Sequence, residues 1–114
     1  MKFEQKTPPR TYSCGINNQI QISDCGRIKL ETDEQVTFVT ASGKEYDLAA
    51  KSWGFYATPS INSRLANQGF KTALVKNSQS RHYVMLVEKE KIALFEKYLA
   101  EEKISFLEWL DEKK

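Results

Sequence analysis

The sequence predicts an α+β fold in a single domain of 114 residues. Segments in the first half alternate apolar and polar residues, as half-buried strands do. The centre carries signals for one short helix and a β-hairpin, and a longer helical pattern near the C-terminus precedes a last strand-like segment. The length suits one hydrophobic core, and the 40% hydrophobic and 28% charged fractions are ordinary for a globular chain.

The first 18 residues predict an irregular N-terminal arm. This segment contains Pro8, Pro9, Gly15 and two asparagines, and it shows little hydrophobic periodicity. We expect residues 1–18 to become ordered only by packing against the rest of the domain.

An antiparallel β-meander is predicted after the arm. The alternating apolar pairs are Ile20 with Ile22, Ile28 with Leu30, and Val36 with Phe38. Turn chemistry separates these strands at residues 24–26 and 32–34. Ser42-Gly43 then predicts a hairpin between residues 38–40 and 46–48, because glycine accepts the positive φ that such turns require.

A short helix is predicted between Thr58 and Gly69. Thr58 can cap it, Pro59 suits the first helical position because its φ is fixed and it lacks an N–H, and Gly69 suits a left-handed stop. Ile61 and Leu65 lie four residues apart and would share the face toward the core. A helix of about two turns depends on tertiary packing.

The C-terminal half predicts a hairpin, a helix and a final strand. Phe70–Lys76 and Tyr83–Glu88 are rich in β-forming residues, and the polar loop 77–81 joins them. Residues 90–103 show apolar side chains at helical spacing. Residues 104–111 return to strand-like composition, so the last strand should cross over the helix and rejoin the sheet, right-handed if it lies parallel to its neighbour.

Positive charge is concentrated in the centre of the chain. The net charge of +2 is too small to predict a nucleic-acid or anionic-membrane partner by itself. Between Asp47 and Glu88, however, there is no acidic residue. The basic residues of this central segment are Lys51, Arg64, Lys71, Lys76 and Arg81, with His82 beside them. A pocket for an anion should avoid carboxylates, so this segment is where function is expected.

One part of the central segment has the composition of an anion site. Aromatic residues lead into the predicted helix start, whose free amides favour a phosphate or a carboxylate. The predicted ligand-binding residues are Trp53, Tyr56, Thr58, Ser60, Asn62 and Arg64, extended by Lys76 and Arg81 near the second hairpin loop. The alternative is that Thr58 only caps the helix, that the aromatic residues belong to the core or a linker, and that residues 77–81 form a solvated loop.

Cys14, Cys25 and His82 are the candidate catalytic residues. Each cysteine is followed by glycine, and a nearby cation would favour the nucleophilic thiolate. His82 is the only histidine and could serve as a general acid or base. The alternative is that the thiols and the histidine are structural. Two cysteines and one histidine lack the paired spacing of a zinc site, so we predict neither a metal nor a cofactor.

A cytoplasmic protein is predicted. The sequence shows no export signal and no apolar run long enough to cross a membrane, and two cysteines make a poor disulfide framework. Nucleic acid is not expected as a partner, because the glycine-aromatic signature of RNA-binding strands is missing.

Four stretches resemble a family of small bacterial proteins of uncharacterised activity, and the resemblance covers nearly the whole chain. The stretches are Cys25–Glu31, Trp53–Ser60, Leu74–Asn77 and Glu108–Asp111. Members of that family are often encoded within loci for surface-polysaccharide assembly or modification. The resemblance implies a role near nucleotide sugars or sugar-modifying enzymes, and it brings no catalytic residue or cofactor.

Three functions are compatible with the sequence. The first is a noncatalytic binding or accessory module that recognises an anionic small molecule, such as a sugar phosphate or nucleotide sugar, or the acidic face of a partner enzyme. The second is a small enzyme acting on a sugar-derived substrate through Cys25, Cys14 or His82. The third is a homodimeric structural or regulatory protein that pairs through an edge strand or its aromatic C-terminal strand.

Overall fold

Eight strands, one main helix and one short helix make up the computed structural model, which describes residues 1–114. The predicted α+β class is confirmed. The strands are β1 (Lys2–Cys14), β2 (Ile20–Lys29), β3 (Gln35–Val39), β4 (Glu45–Lys51), β5 (Gly54–Ala57), β6 (Phe70–Lys76), β7 (His82–Glu88) and β8 (Ser105–Trp109). The helices are α1 (Arg64–Asn67) and α2 (Ile92–Glu101), and 3₁₀ turns cover Ile16–Asn18, Lys89–Lys91 and Leu110–Glu112. The sheet orders are β1-β2, β3-β4-β5 and β7-β6-β8.

The chain packs as two compact units. The first comprises Met1–Val36 and Leu48–Tyr56, and the second comprises Thr37–Asp47 and Ala57–Lys114. The first unit therefore contains the β1-β2 sheet, and the second contains both helices and the β7-β6-β8 sheet.

A long antiparallel hairpin dominates the first unit, so the prediction of an irregular arm over residues 1–18 is wrong. Strand β1 pairs with β2 from Lys2 to Gln5 and again from Arg10 to Cys14. The two prolines fall in the irregular stretch 6–9 between these paired segments, where no ladder hydrogen bond is required of them. The turn between β1 and β2 comes after Cys14, where Gly15 and both asparagines take positive φ and reverse the chain.

Strand β2 is continuous, so the turn predicted at residues 24–26 is wrong as well. Gly26 serves a close approach between strands, because a Cβ there would lie 2.5 Å from the carbonyl oxygen of Glu4. Asp24 accepts hydrogen bonds from Lys6 at 2.5 Å and from Arg10 at 3.3 Å. The Lys6 hydrogen bond is the main reason that the pKa of Asp24 is lowered.

The turns after β2 lie where the sequence predicts them, but strand β5 was not predicted. Residues 32–33 form a turn, and the reversal at Ser42-Gly43 joins β3 to β4 with φ of 89° at the glycine. Strand β5 follows β4 after a turn at residues 52–53, within the segment that the sequence assigned to an aromatic approach to a helix.

The hairpin predicted in the second unit is confirmed. Strands β6 and β7 pair without interruption from Phe70 opposite Glu88 to Lys76 opposite His82. Asn77 Oδ1 accepts hydrogen bonds from two backbone amides of the connecting loop, both at 3.0 Å, which fixes the loop conformation.

Helix α2 and strand β8 complete the second unit as predicted. A 3₁₀ turn precedes α2, which ends two residues earlier than the predicted limit of 103. Strand β8 rejoins the sheet beside β6 and runs antiparallel to it, so the handedness expected of a parallel neighbour does not apply. The core beneath the helix consists of Ala73, Val75 and Leu99, with Met85, Phe95, Ile104 and Trp109 packed against it.

The short helix differs from its prediction at the start and agrees at the end. Helix α1 has four residues and begins at Arg64, so Pro59 is not its first residue and Thr58 does not cap it. The cause is local, because Ser60 draws the chain into a turn by accepting hydrogen bonds through both its carbonyl and its hydroxyl. Gly69 then stops the helix with φ of 103°.

Candidate binding site

The predicted anion-binding residues around α1 lie together but are occupied by one another. Arg64 donates through Nη1 to Asp47 and through Nη2 to Thr58 Oγ1, both at 3.2 Å. The backbone amides of Arg64 and Leu65 donate to the hydroxyl and carbonyl oxygens of Ser60. The predicted site requires free amides at the helix start. These amides are already hydrogen-bonded, so they are not free for a ligand.

Asp47 holds this polar cluster together. Thr37 Oγ1 donates to Asp47 Oδ1 at 2.5 Å, and this bond, with the Arg64 guanidinium, outweighs burial and lowers the pKa of the carboxyl. Arg64 is thus neutralised by an acid that precedes the acid-free segment in sequence. Asn62 lies in the exposed turn before α1.

Trp53 and Tyr56 belong to the first unit. Their rings are stacked with centroids 6.2 Å apart, and Trp53 is 69% exposed. Neither residue therefore lies in the core, and their assignment to a linker or to a ligand site stays a prediction.

Two thiols and the histidine occupy separate strands. Cys14 ends β1 opposite Ile20, whereas Cys25 lies five residues further along β2, where the pairing with β1 is interrupted. His82 begins β7 in the second unit. Both cysteines are free, and no group of three or more metal-binding side chains is placed to hold an ion. A catalytic role for any of the three residues stays a prediction.

The cations of the central segment are mostly paired with acids from outside it. Lys51 pairs with Asp33 in the first unit. In the second unit Arg64 pairs with Asp47, and Lys71 Nζ lies 2.8 Å from Asp111. The segment that lacks acids in sequence is therefore not acid-free in space.

Lys76 and Arg81 are the two central cations without an acidic partner. They flank the loop of the β6-β7 hairpin beside His82, and we call these three residues the basic hairpin end. Lys76 lies seven positions along the strand from Gly69, which is about 20 Å at the rise of a strand. The structure thus does not bring Lys76 and Arg81 to the cluster around α1.

A cleft lies between β7 and α2, where the sequence predicted no site. It has a volume of about 320 Å³ and a mainly apolar lining. The lining residues of this α2 cleft are Thr40, Phe70, Met85, Leu86, Val87, Glu88, Lys91, Leu94, Phe95 and Tyr98. Its volume falls at the lower end of the range for ligand pockets, and an apolar lining with few polar groups is typical of them.

The polar groups at the cleft are held in place. Glu88 accepts a hydrogen bond from the Ser42 hydroxyl through Oε1, and Lys91 Nζ lies 3.3 Å from Oε2. The Ser42 bond outweighs burial in lowering the pKa of Glu88, and Lys91 and Lys44 lower it further. Glu88 is therefore an ionised, fixed acceptor whose two oxygens are already engaged.

Strand β7 borders the cleft with an unpaired edge. It is an outer strand of its sheet and pairs with β6 alone. Four consecutive residues, Met85–Glu88, line the cleft. Successive side chains of a strand point to opposite faces, so a run of four lining residues shows that the cleft follows β7 along its length.

The register identifies which backbone groups of β7 point outward. Lys89 N donates to the carbonyl oxygen of Gly69 opposite it, and Asn77 N donates to that of Arg81. These hydrogen-bonded pairs fix the alternation, so the odd-numbered residues of β7 bond to β6. The N–H and C=O groups of Val84 and Leu86 therefore point away from the sheet, and we call these groups the β7 edge.

A partly buried ion pair joins β6 to the 3₁₀ turn that follows β8. Lys71 Nζ lies between Asp111, at 2.8 Å, and the ring of Trp109, at 4.7 Å from its centroid. Asp111 also accepts the Thr72 amide at 2.9 Å, which supplies a partner where β8 has ended. This arrangement is structural and anchors the C-terminus to β6.

No family model, curated protein or solved structure matches the chain. None of its helices has the length and apolar character that crossing a membrane requires. What the protein does is therefore argued from its own residues.

Proposed function

We propose that this chain is a noncatalytic binding module that holds an extended segment of a partner protein along the β7 edge. The observation that carries the proposal is the adjacency of an unpaired strand edge and an apolar cleft. In such an arrangement the main chain of the partner pairs with the strand, and a side chain of the partner enters the cleft.

The β7 edge supplies the main-chain contacts. Val84 and Leu86 each offer one N–H donor and one C=O acceptor, at the spacing that an added strand matches. These hydrogen bonds do not depend on the sequence of the partner, so they contribute affinity and orientation.

The α2 cleft supplies selectivity. Its volume of about 320 Å³ suits one or two large apolar side chains, which would pack against Phe70 and Phe95. Leu94 is 64% exposed at the cleft and would be covered by the bound segment. Full burial of one such side chain contributes about 1.5–3 kcal/mol.

Two other outer strands, β8 and β1, are less suited to this role. Strand β8 has five residues, and its pairing with β6 shifts register between Leu74 and Val75. Strand β1 carries Pro8 and Pro9 in an irregular stretch. Bulges and prolines are devices that protect edges from pairing. The central residues of β7, Tyr83–Val87, contain neither proline nor charge, and their pairing is uninterrupted.

The other functions predicted from the sequence stay predictions. They are recognition of an anionic small molecule at Arg64, an enzyme using a thiol or His82, and a homodimeric structural or regulatory protein. A role in polysaccharide assembly, which the resemblance implies, also stays an expectation. The binding proposed at the α2 cleft does not depend on that role.

Substitution in the cleft is expected to weaken binding without unfolding the protein. Random peptides of about nine residues, enough to span the seven-residue β7, are displayed on phage and panned against the full chain. The selected peptide is then titrated by fluorescence anisotropy. Leu94→Arg should weaken its binding by about tenfold or more, because the substitution places a charge at the apolar cleft.

Leu107→Arg is the matched control, because Leu107 is an exposed leucine on β8, at the other edge of the same sheet. It should bind the peptide as the wild type does. Failure to select any peptide above background, or equal weakening by both substitutions, would overturn the proposal. So would a dimer of the chain alone that Leu94→Arg disrupts, since a second copy would then occupy the edge.

A further inference from the structure

We infer that the partner segment is acidic, with a carboxylate that binds the basic hairpin end while an apolar residue of the same segment occupies the α2 cleft. This inference rests on the proposed function and names the chemistry of the partner. It is carried by the uneven distribution of paired and unpaired cations in the second unit.

The unpaired cations stand at one end of β7. Lys76 lies opposite His82 in the β6-β7 register, and Arg81 immediately precedes that histidine. Lys76 and Arg81 form no ion pair, whereas Arg64 and Lys71 of the same unit each have a carboxylate within 3.2 Å. Two cations without a counter-ion at the start of an open edge favour an anionic group of a bound chain.

The spacing along β7 sets the pattern that a partner must carry. The cleft begins at Met85, which is four residues from Arg81, or about 13 Å along an extended strand. A segment paired with the β7 edge would therefore place its acidic residue about three to five positions from its apolar residue. The side of the apolar residue on which the acid lies would reveal whether the segment runs parallel or antiparallel to β7.

A symmetric pairing of two β7 strands about Met85 does not supply this carboxylate. In an antiparallel pairing of two β7 strands about Met85, the acid that approaches His82 is Glu88 of the other copy. Glu88 is buried, and both its oxygens are already engaged by Ser42 and Lys91. A different protein with an exposed acidic strand is the better match.

The same unbiased library tests the inference. Panning against the wild type should enrich peptides with a large apolar residue and an acidic residue about three to five positions away. Panning against the double variant Lys76→Glu, Arg81→Glu should lose that acidic preference and favour Lys or Arg at the same position. A peptide selected on the wild type should bind this variant about tenfold or more weakly, with the difference reduced at high salt.

A control double variant, Lys97→Glu with Lys113→Glu, changes the charge by the same amount with residues that line neither the cleft nor β7. It should retain the acidic preference. Selected peptides that bind through the cleft but show no acidic preference would overturn this inference and leave the proposed function standing. An acidic preference lost equally in both double variants would also overturn it, and a library that yields no peptide would overturn both.

Discussion

Asp111→Ala is expected to lower the free energy of unfolding by about 3 kcal/mol, because it leaves a partly buried lysine without its nearest counter-ion. The side chain of Asp111 is 7% exposed, and its carboxylate accepts both the Lys71 ammonium and the Thr72 amide. Its removal therefore takes the nearest carboxylate from a partly buried charge and leaves the buried backbone donor of Thr72 unsatisfied. Urea denaturation followed by tryptophan fluorescence measures the loss.

Glu112→Ala is the control for this substitution. Glu112 lies 3.9 Å from the same lysine, but its side chain is 58% exposed, so its removal should change the stability by no more than about 0.5 kcal/mol. Similar losses from both substitutions would show that the pairing of Lys71 does not depend on the buried carboxylate.

The contribution of Asp111 should also appear in the pH dependence of stability. Burial raises the pKa of Asp111, but the hydrogen bonds from Lys71 and Thr72 outweigh it and lower the pKa below its ordinary value of 3.8. The stabilisation is therefore fully present above pH 3.8 and is lost as the pH falls through the folded-state pKa. The acid limb of the stability profile should be flatter in Asp111→Ala than in the wild type.

Proline substitutions at neighbouring positions of β7 should have opposite effects on folding and binding. Met85→Pro removes an amide that bonds to β6 and should cost about 3 kcal/mol of stability. Val84→Pro removes an amide that points away from the sheet, which an edge strand tolerates, so the cost should be no more than about 1 kcal/mol. The same Val84→Pro protein should bind the selected peptide about tenfold or more weakly.

Urea denaturation measures the stability of the two variants, and peptide titration measures their affinity. A Val84→Pro protein that is as unstable as Met85→Pro would contradict the assignment of outward groups on β7. A stable Val84→Pro protein that binds the peptide normally would show that the edge does not hold the partner.

The parts of the fold that were predictable depend on local chemistry. The β6-β7 hairpin carries strong β-forming segments around a polar loop, and α2 shows a clear helical spacing of apolar residues. The reversal at Ser42-Gly43 needs only a glycine that accepts a positive φ. In each case the signal lies within a few residues of the element that it specifies.

The parts that were missed depend on partners distant in sequence. Pro8 and Pro9 argue against a strand, and only the pairing of β2 on either side of them shows that one forms. Gly26 has the chemistry of a turn, although it serves the close approach of Glu4 across the hairpin. The cap expected of Thr58 does not form, because the oxygens of Ser60 accept the backbone amides at the start of α1.

The candidate site was only partly predictable for the same reason. Lys76 and Arg81 were identified from the charge distribution, and they now form the basic hairpin end. The pairing of Arg64 and Lys71 with Asp47 and Asp111 required the fold. The α2 cleft also could not be predicted from the sequence, because only the sheet order shows that β7 is an outer strand.

Amide hydrogen exchange along β7, with and without a selected peptide, tests the central claim most directly. In the free chain the amides of Val84 and Leu86 should exchange rapidly, while those of Met85 and Val87 should be protected by their bonds to β6. Saturation with the peptide should protect Val84 and Leu86 without changing the other two. Protection of Val84 and Leu86 in the free monomer, or its absence in the saturated complex, would contradict the account.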